Sequence, residues 1–269
     1  MLNYLCSNAL FFPLLIVTFT QVEGFLISEN KKSGDVQGFP WFPSEPNPPS
    51  VVGHKKLDMF KWINDTCDNG KMNLTMDWDF SPVNYSCYTI KKLIPDASIP
   101  SELFSKVLPP VHRAAHLCMN EKIEYDTNIP MFGNHRPAWA KWGEYVFLPK
   151  QRWLHNLEHG AIVMLYHPCT HPAFVSALRE MVTGCLYRHI ITADNSLSTS
   201  HPMALVAWGH KILLSYPSEK VVKNFIRQYA KKGPEETSRQ GYYDELLINP
   251  SNIITDLDDK ELCPEREKK

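Results

Sequence analysis

The chain lacks a charge excess of either sign: 28 Lys and Arg stand against 29 Asp and Glu, for a formal net charge of −1 over 269 residues. A polybasic field that could hold nucleic acid by counterion release is therefore missing, and so is an acidic surplus that would suggest a basic partner. Beyond the N-terminal segment no apolar run reaches the roughly 18 residues of a membrane-spanning helix. There is no internal repeat, phosphate loop, serine nucleophile elbow or CxxC pair. These absences argue against a nucleic-acid binder, a coiled coil and a multi-pass membrane protein. What is present is an ordinary apolar fraction, 43 % of residues, enough for a substantial core and too much for a wholly disordered chain. The length suits one large or two small domains.

Residues 1–24 contain no Lys or Arg and one acid, Glu23. Ala9 to Phe19 is an apolar run of the length of a signal-peptide core and too short to span a bilayer, and Val22 and Gly24 suit cleavage after Gly24. This predicts export, with an uncleaved N-terminal membrane tether as the alternative and no stable span in the mature chain. Three N-x-S/T sequons follow, at Asn64, Asn73 and Asn84, and point to a secreted glycoprotein. Loss of Cys6 with the signal leaves Cys67, Cys87, Cys118, Cys169, Cys185 and Cys263. An even number in an exported chain favours disulfides, and six cysteines allow 15 pairings. The local pair Cys67–Cys87 is the first expectation.

Residues 25–50 form a proline-rich tether, because proline removes backbone donors and cannot continue a helix or central strand. Residues 51–123 read as an irregular, glycosylated, cysteine-containing region, with short helices at Ser101–Leu108 and Val111–Cys118. Residues 124–249 read as an α+β domain: a small mixed sheet with two or more packed helices, preceded by the irregular disulfide-bearing segment. Strands are predicted at Glu144–Leu148, Ala161–Tyr166, Leu186–Thr192 and Met203–Trp208. A helix opens at Pro172, buries Phe174, Val175, Leu178 and Val182 along one stripe, and ends at Gly184. A second carries Val221, Val222, Phe225, Ile226 and Tyr229 and closes near Gly233. Residues 250–269 read as a charged, mobile tail. Cys169 and Cys185 flank the first helix. Thirteen helical residues span about 20 Å, whereas disulfide Cα atoms lie within about 7 Å, so these two should not pair.

Among 11 histidines the densest group is His155-Asn-Leu-Glu158-His159. In a helix these three side chains share one face. The string also fits H-x-x-E-H, in which two histidines hold zinc and the carboxylate activates water. Yet Gly160 and a strand beginning at Ala161 would leave the group as one tight turn. A third ligand must come from elsewhere: His135, His112, His116, His167, His171 and Glu236 are candidates. The pair His112 and His116 reads as a solvated helix face. His135, His155 and His159 are expected to converge on Zn²⁺ or Cu²⁺ with an open fourth position, Glu158 standing in or just behind them. Trp139, Trp142 and Trp153 read as core or site-wall aromatics.

The blocks Ile129-Pro-Met-Phe-Gly-Asn-His135, Trp139-Ala-Lys-Trp-Gly-Glu-Tyr145, His155-Asn-Leu-Glu-His-Gly160, Leu165-Tyr-His-Pro-Cys169, Arg188-His-Ile-Ile191 and Ala207-Trp-Gly209 together resemble the tumour protein p-fifty-three-inducible protein thirteen family. That family shares a domain of unknown function with bacterial envelope proteins. The resemblance covers residues 124–249. It implies a protein of the envelope or secretory route with a link to growth restraint, and it carries no reaction. His135 matches the family's first histidine, and His155, Glu158 and His159 its second block. Gly133-Asn134 departs from the bacterial Ser-Gly-x, and the membrane span that follows the domain in vertebrate relatives has no counterpart here. The reading is an exported binding or interaction module for an unknown protein or small ligand, with a histidine-rich site. The alternative is a zinc-type hydrolase using Glu158 as its base, and a purely structural role is the third reading.

Overall fold

A computed structural model describes residues 63–109 and 111–265. The predicted signal peptide and proline-rich tether lie outside the described residues. Seven strands form one mixed sheet: β1 Glu102–Ser105, β2 Gly143–Tyr145, β3 Ile162–Tyr166, β4 His189–Ala193, β5 Met203–Ala207, β6 His210–Leu214 and β7 Leu247–Pro250, in the order β1-β6-β5-β3-β4-β2-β7. β4 runs parallel to both β3 and β2. The remaining pairs are antiparallel. Three helices complete the domain: α1 Lys150–Glu158, α2 Pro172–Thr183 and α3 Glu219–Tyr229. The fold class is α+β.

The central strands read as continuous apolar runs because both sheet faces are covered. Side chains alternate across a strand. Ile162 and Met164 of β3, with Met203 and Leu205 of β5, therefore face one core, and Val163, Leu165, Ala204 and Val206 face the other. The first core is closed by α2 and α3, through Val175, Leu178, Val182, Val222, Phe225 and Ile226. The second is closed by Trp153, Leu154 and Leu157 of α1 together with Trp142 and Tyr145. Burying each of the larger side chains stabilises the fold by about 1.5–3 kcal/mol. α2 begins at Pro172, with the His171 imidazole accepting from the Ala173 N–H, and Gly184 caps its end.

Several expectations are corrected. Ser101–Leu108 is not helical: its centre is β1, an exposed edge strand whose backbone pairs with β6. Val111–Cys118 is not helical: it opens with a turn at Val111, and His116 bridges to His135. In such short segments, ladder bonds from distant strands outweigh a weak helical pattern. The expected strand 144–148 shortens to Gly143–Tyr145, with a register shift after Glu144. Cys67 does not pair with Cys87. The bonds are Cys67–Cys118, Cys87–Cys169 and Cys185–Cys263, so Cys169 and Cys185 do take separate partners. As far as Glu265, the C-terminal segment is not a loose tail. Cys263 is disulfide-bonded and buried, and the Asp259 carboxylate accepts hydrogen bonds from the Arg188 guanidinium and from the Tyr187 and Arg188 backbone N–H groups.

Candidate metal centre

α1 is nine residues long, and seven of them are buried, among them Arg152, His155, Asn156 and Glu158. The tight turn expected at His155–His159 is in fact the last turn of this helix, with His159 as its cap. Helical spacing places His155 and Glu158 side by side. Gly160 ends the helix at φ +87°, and a Cβ there would meet the Lys231 Cα at 2.8 Å. Gly233 allows the 231–235 segment to lie directly on the helix end, since a Cβ there would overlap the Glu158 carbonyl. That segment is sealed by bonds from the Lys231 N–H to Gly160 O and from the Glu235 N–H to Glu158 O, at 2.8 and 3.0 Å.

Facing α1, the loop 133–138 and the strand-like 115–118 segment run side by side. The Leu117 N–H donates to His135 O and the His135 N–H to Ala115 O, at 2.9 and 3.0 Å. Two buried ion pairs fix this assembly. Arg136 binds Asp77 and donates to the carbonyls of Leu117, Cys118 and Glu121. Arg152 binds Asp68 and the Ala138 carbonyl. The Cys67–Cys118 disulfide closes two residues beyond His116.

Four potential donor side chains meet here: His116, His135, His155 and Glu158, their donor atoms all within 4.8 Å of one another. The ring centroids of His116, His135 and His155 are 4.5–4.7 Å apart. His135 Nε2 lies 3.0 Å and His116 Nε2 3.8 Å from Glu158 Oε2. Neither approach is a hydrogen bond, because all three atoms are buried and without a hydrogen-bond partner, as is His155 Nε2. The opposite ring nitrogens explain their orientation. His135 Nδ1 lies 2.8 Å from Gly133 O, and His155 Nδ1 lies 2.7 Å from Arg136 O. A carbonyl only accepts, so each Nδ1 carries a proton, and each ring turns its Nε2 inward. Histidine ligands of metals are commonly held in this way, through the second nitrogen.

Charge follows the same logic. Burial pushes the His116 imidazole down to about 4, with His135 adding to the fall. Burial, again with the neighbouring imidazoles, drives His155 well below its ordinary value. For Glu158 burial acts upward, but His135, His116 and His159 together outweigh it and hold the carboxyl below the usual range. Near neutral pH His116 and His155 are thus neutral and Glu158 is anionic, the forms that bind metal.

The residues fit a metal. Three imidazole nitrogens and one carboxylate oxygen suit Zn²⁺ or Cu²⁺. Tetrahedral donors at about 2.0–2.1 Å from zinc lie roughly 3.4 Å apart, so closing around the ion requires the widest donor pairs to contract by up to about 1.4 Å and the His135–Glu158 pair to open slightly. Of the three histidines read as ligands, His135 and His155 belong to the donor group. His159 stands outside it: its ring packs on His155 and Trp139 at 4.6 and 4.8 Å, and its Nδ1 donates to Glu235 O. Burial pushes this imidazole down to about 4 as well. His116, read as solvated, takes the vacant role. The His112 spacing suggested a helix that does not form, and the signal available was Cys118, whose disulfide anchors the strand. Trp139 walls the centre, while Trp142 and Trp153 are core. His167 and His171 serve local turns, accepting from the Cys169 and Ala173 N–H groups. Glu236 pairs with Arg188.

Comparison with known proteins adds a domain match. Residues 116–241 match the model described as "Protein of unknown function (DUF3105)". The matched span begins at His116 and contains all four donor residues. This is the domain of unknown function that the sequence resemblance anticipated, and nothing in the match singles out the tumour protein family. No curated protein and no solved structure matches the chain.

Proposed function

We propose that this protein is an exported metal-binding module whose centre, His116, His135, His155 and Glu158, holds one Zn²⁺ or Cu²⁺. The observation that carries the reading is the set of four buried donor atoms with no hydrogen-bond partner. Burying such atoms unpaired is costly, and a bound cation would satisfy all four at once. When bound, the metal would supply a fixed positive charge and Lewis acidity. The chain's own part is to hold the imidazoles through Gly133 and Arg136 and to shield them with Trp139. The partner is an unidentified protein or small ligand, and a tie to growth restraint rests on the family resemblance alone.

Export is supported by three disulfides; among the described residues no helix is long and apolar enough to cross a membrane. Glycans are expected on at least two of Asn64, Asn73 and Asn84. Asn73 is exposed, whereas the Asn84 side chain already accepts from the Trp78 indole. Enzymatic glycan removal after secretory expression should lower the apparent mass.

The hydrolase alternative has one observation in its favour. His116, about 20 % exposed, gives the cluster a side open to solvent. In that reading three imidazoles hold zinc and Glu158 is the base for a bound water. Calorimetric titration of metal-free protein decides both points. One equivalent should bind, and His155→Ala and His135→Ala should each lose at least about 100-fold in affinity. Failure to bind one equivalent, or unchanged affinity in His155→Ala, would overturn the centre. If Glu158→Gln keeps full affinity, the carboxylate is not a ligand and the hydrolase reading gains.

A further inference from the structure

We propose that a second site, a cationic pocket beside the histidine centre, binds a small polyanion. The pocket encloses about 280 Å³, and its walls include Lys106, His112, Arg113, Trp208, His210 and Lys232. None of its eleven lining residues is acidic. In a chain of net charge −1 this is a local concentration of positive charge, and concave surfaces of one sign focus field on small ions.

The frame of the pocket is fixed by backbone and ring contacts. The Lys106 N–H donates to Gly209 O at 2.8 Å, and the Gly209 N–H to Met131 O at 3.0 Å. Lys106 Nζ sits 4.9 Å over the Phe132 ring. The His112 ring stands edge-on to Phe132 and beside Trp208, at 5.5 and 6.2 Å between centroids. Its Nε2 is buried with no hydrogen-bond partner. His210 stacks on Tyr229 at 4.1 Å, and its Nδ1 meets the Ser105 hydroxyl at 2.9 Å. The imidazole of His210 is lowered first by burial and then by Lys232, which shows that the Lys232 charge reaches this side of the pocket.

The Lys106 and Lys232 ammonium groups, an indole wall and this volume suit an organic anion with two or more negative charges, such as a phosphate ester or polycarboxylate; Arg113 adds a third charge while donating to His112 O and acting on the neighbouring Glu235 carboxyl. A polymeric anion would need an extended basic track, which the composition does not supply. Two chain segments connect the pocket to the centre. His112 lines the pocket and His116 is a donor; Pro234 lines the pocket and the Glu235 carbonyl accepts from His159. The pocket's charge does not depend on metal, so this inference stands apart from the metal reading.

The test is calorimetry on the full mature chain, metal-free, with inorganic pyrophosphate and with tricarballylate as probes. Native protein and His155→Ala should bind one probe molecule saturably, more weakly as salt rises to about 0.15 M. Lys106→Gln/Lys232→Gln should bind at least about tenfold more weakly, and Arg113→Gln should also lose affinity, all with unchanged melting temperature. No saturable binding by either probe, or equal binding by the double lysine variant, would overturn the proposal. Binding lost in His155→Ala but retained in the double lysine variant would place the anion on the histidine centre, and would overturn it equally.

Discussion

α1 and α2 lie on opposite faces of one sheet and are built on different principles. α2 is twelve residues long and buries only Val175, Leu178 and Val182; the rest of its surface is partly or fully exposed. α1 is shorter and buries seven of nine residues, four of them polar or charged. An apolar stripe against a sheet accounts for α2. It cannot account for α1, where a buried guanidinium, amide, imidazole and carboxylate each need a partner. Arg152 finds Asp68, and Asn156 brackets Ala140 through the Ala140 N–H and O. Among the described residues the inward atoms of His155 and Glu158 have no hydrogen-bond partner. The contrast teaches where to look for function: at the helix whose burial is not explained by apolar packing.

The largest way to break this comparison is to strip α1 of a partner. Asp68→Ala should cost about 3–5 kcal/mol, because it leaves the buried Arg152 charge uncompensated. Arg152→Met in the same chain should restore much of that loss. Denaturant unfolding of the three proteins checks both, and a loss below 1 kcal/mol in Asp68→Ala would mean the pair is not holding the helix.

A crossed pair of substitutions sharpens the contrast. Leu178→Ala on α2 should cost about 2–5 kcal/mol by opening a core cavity, yet leave the metal affinity of the folded protein unchanged. His155→Ala should do the reverse: thermal stabilisation by added Zn²⁺ should vanish. Melting curves with and without the ion read both. Equal metal-induced shifts in the two variants would erase the distinction between the helices.

A smaller effect is expected from pH. His116 and His159 titrate at about 4 in the folded chain, below the roughly 6.5 of an unfolded histidine. Between these values the unfolded state binds more protons, so stability is present above pH ~6.5 and falls as pH drops toward 4. Each group contributes roughly 1–3 kcal/mol across that window. His116→Asn should flatten the curve of metal-free stability against pH, and an unchanged slope would show that His116 is not buried against its neighbours.

How much of this was legible follows the same divide. Apolar periodicity identified β3, β4 and β5, α2 with its end at Gly184, and α3, which stops at Tyr229 rather than near Gly233, because those elements are made by burial of their own side chains. The full extent of α1 was hidden, since its pattern is polar and its burial comes from residues as distant as Asp68. β1 and the 111–118 segment were misread for a related reason: their bonds are made to β6 and to His135, which local sequence does not show. His135 and His155, both singled out in the sequence, lie with ring centroids 4.6 Å apart. His116 was one of six candidate third ligands but was read as solvated, because its place depends on a strand bridge and on the Cys67–Cys118 bond. Disulfide partners 51 to 82 residues apart are set by topology. Cys263 and Asp259 could not be seen as anchors until Cys185 and Arg188 stood opposite them.

The central claim is that His116, His135, His155 and Glu158 form one metal site. X-ray absorption spectroscopy of protein loaded with one equivalent of Zn²⁺ tests it most directly. The account predicts three imidazoles and one oxygen in the inner shell at about 2.0–2.1 Å, with the imidazole count falling in His155→Ala. An inner shell of oxygen with one imidazole or none, unchanged by His155→Ala, would contradict it.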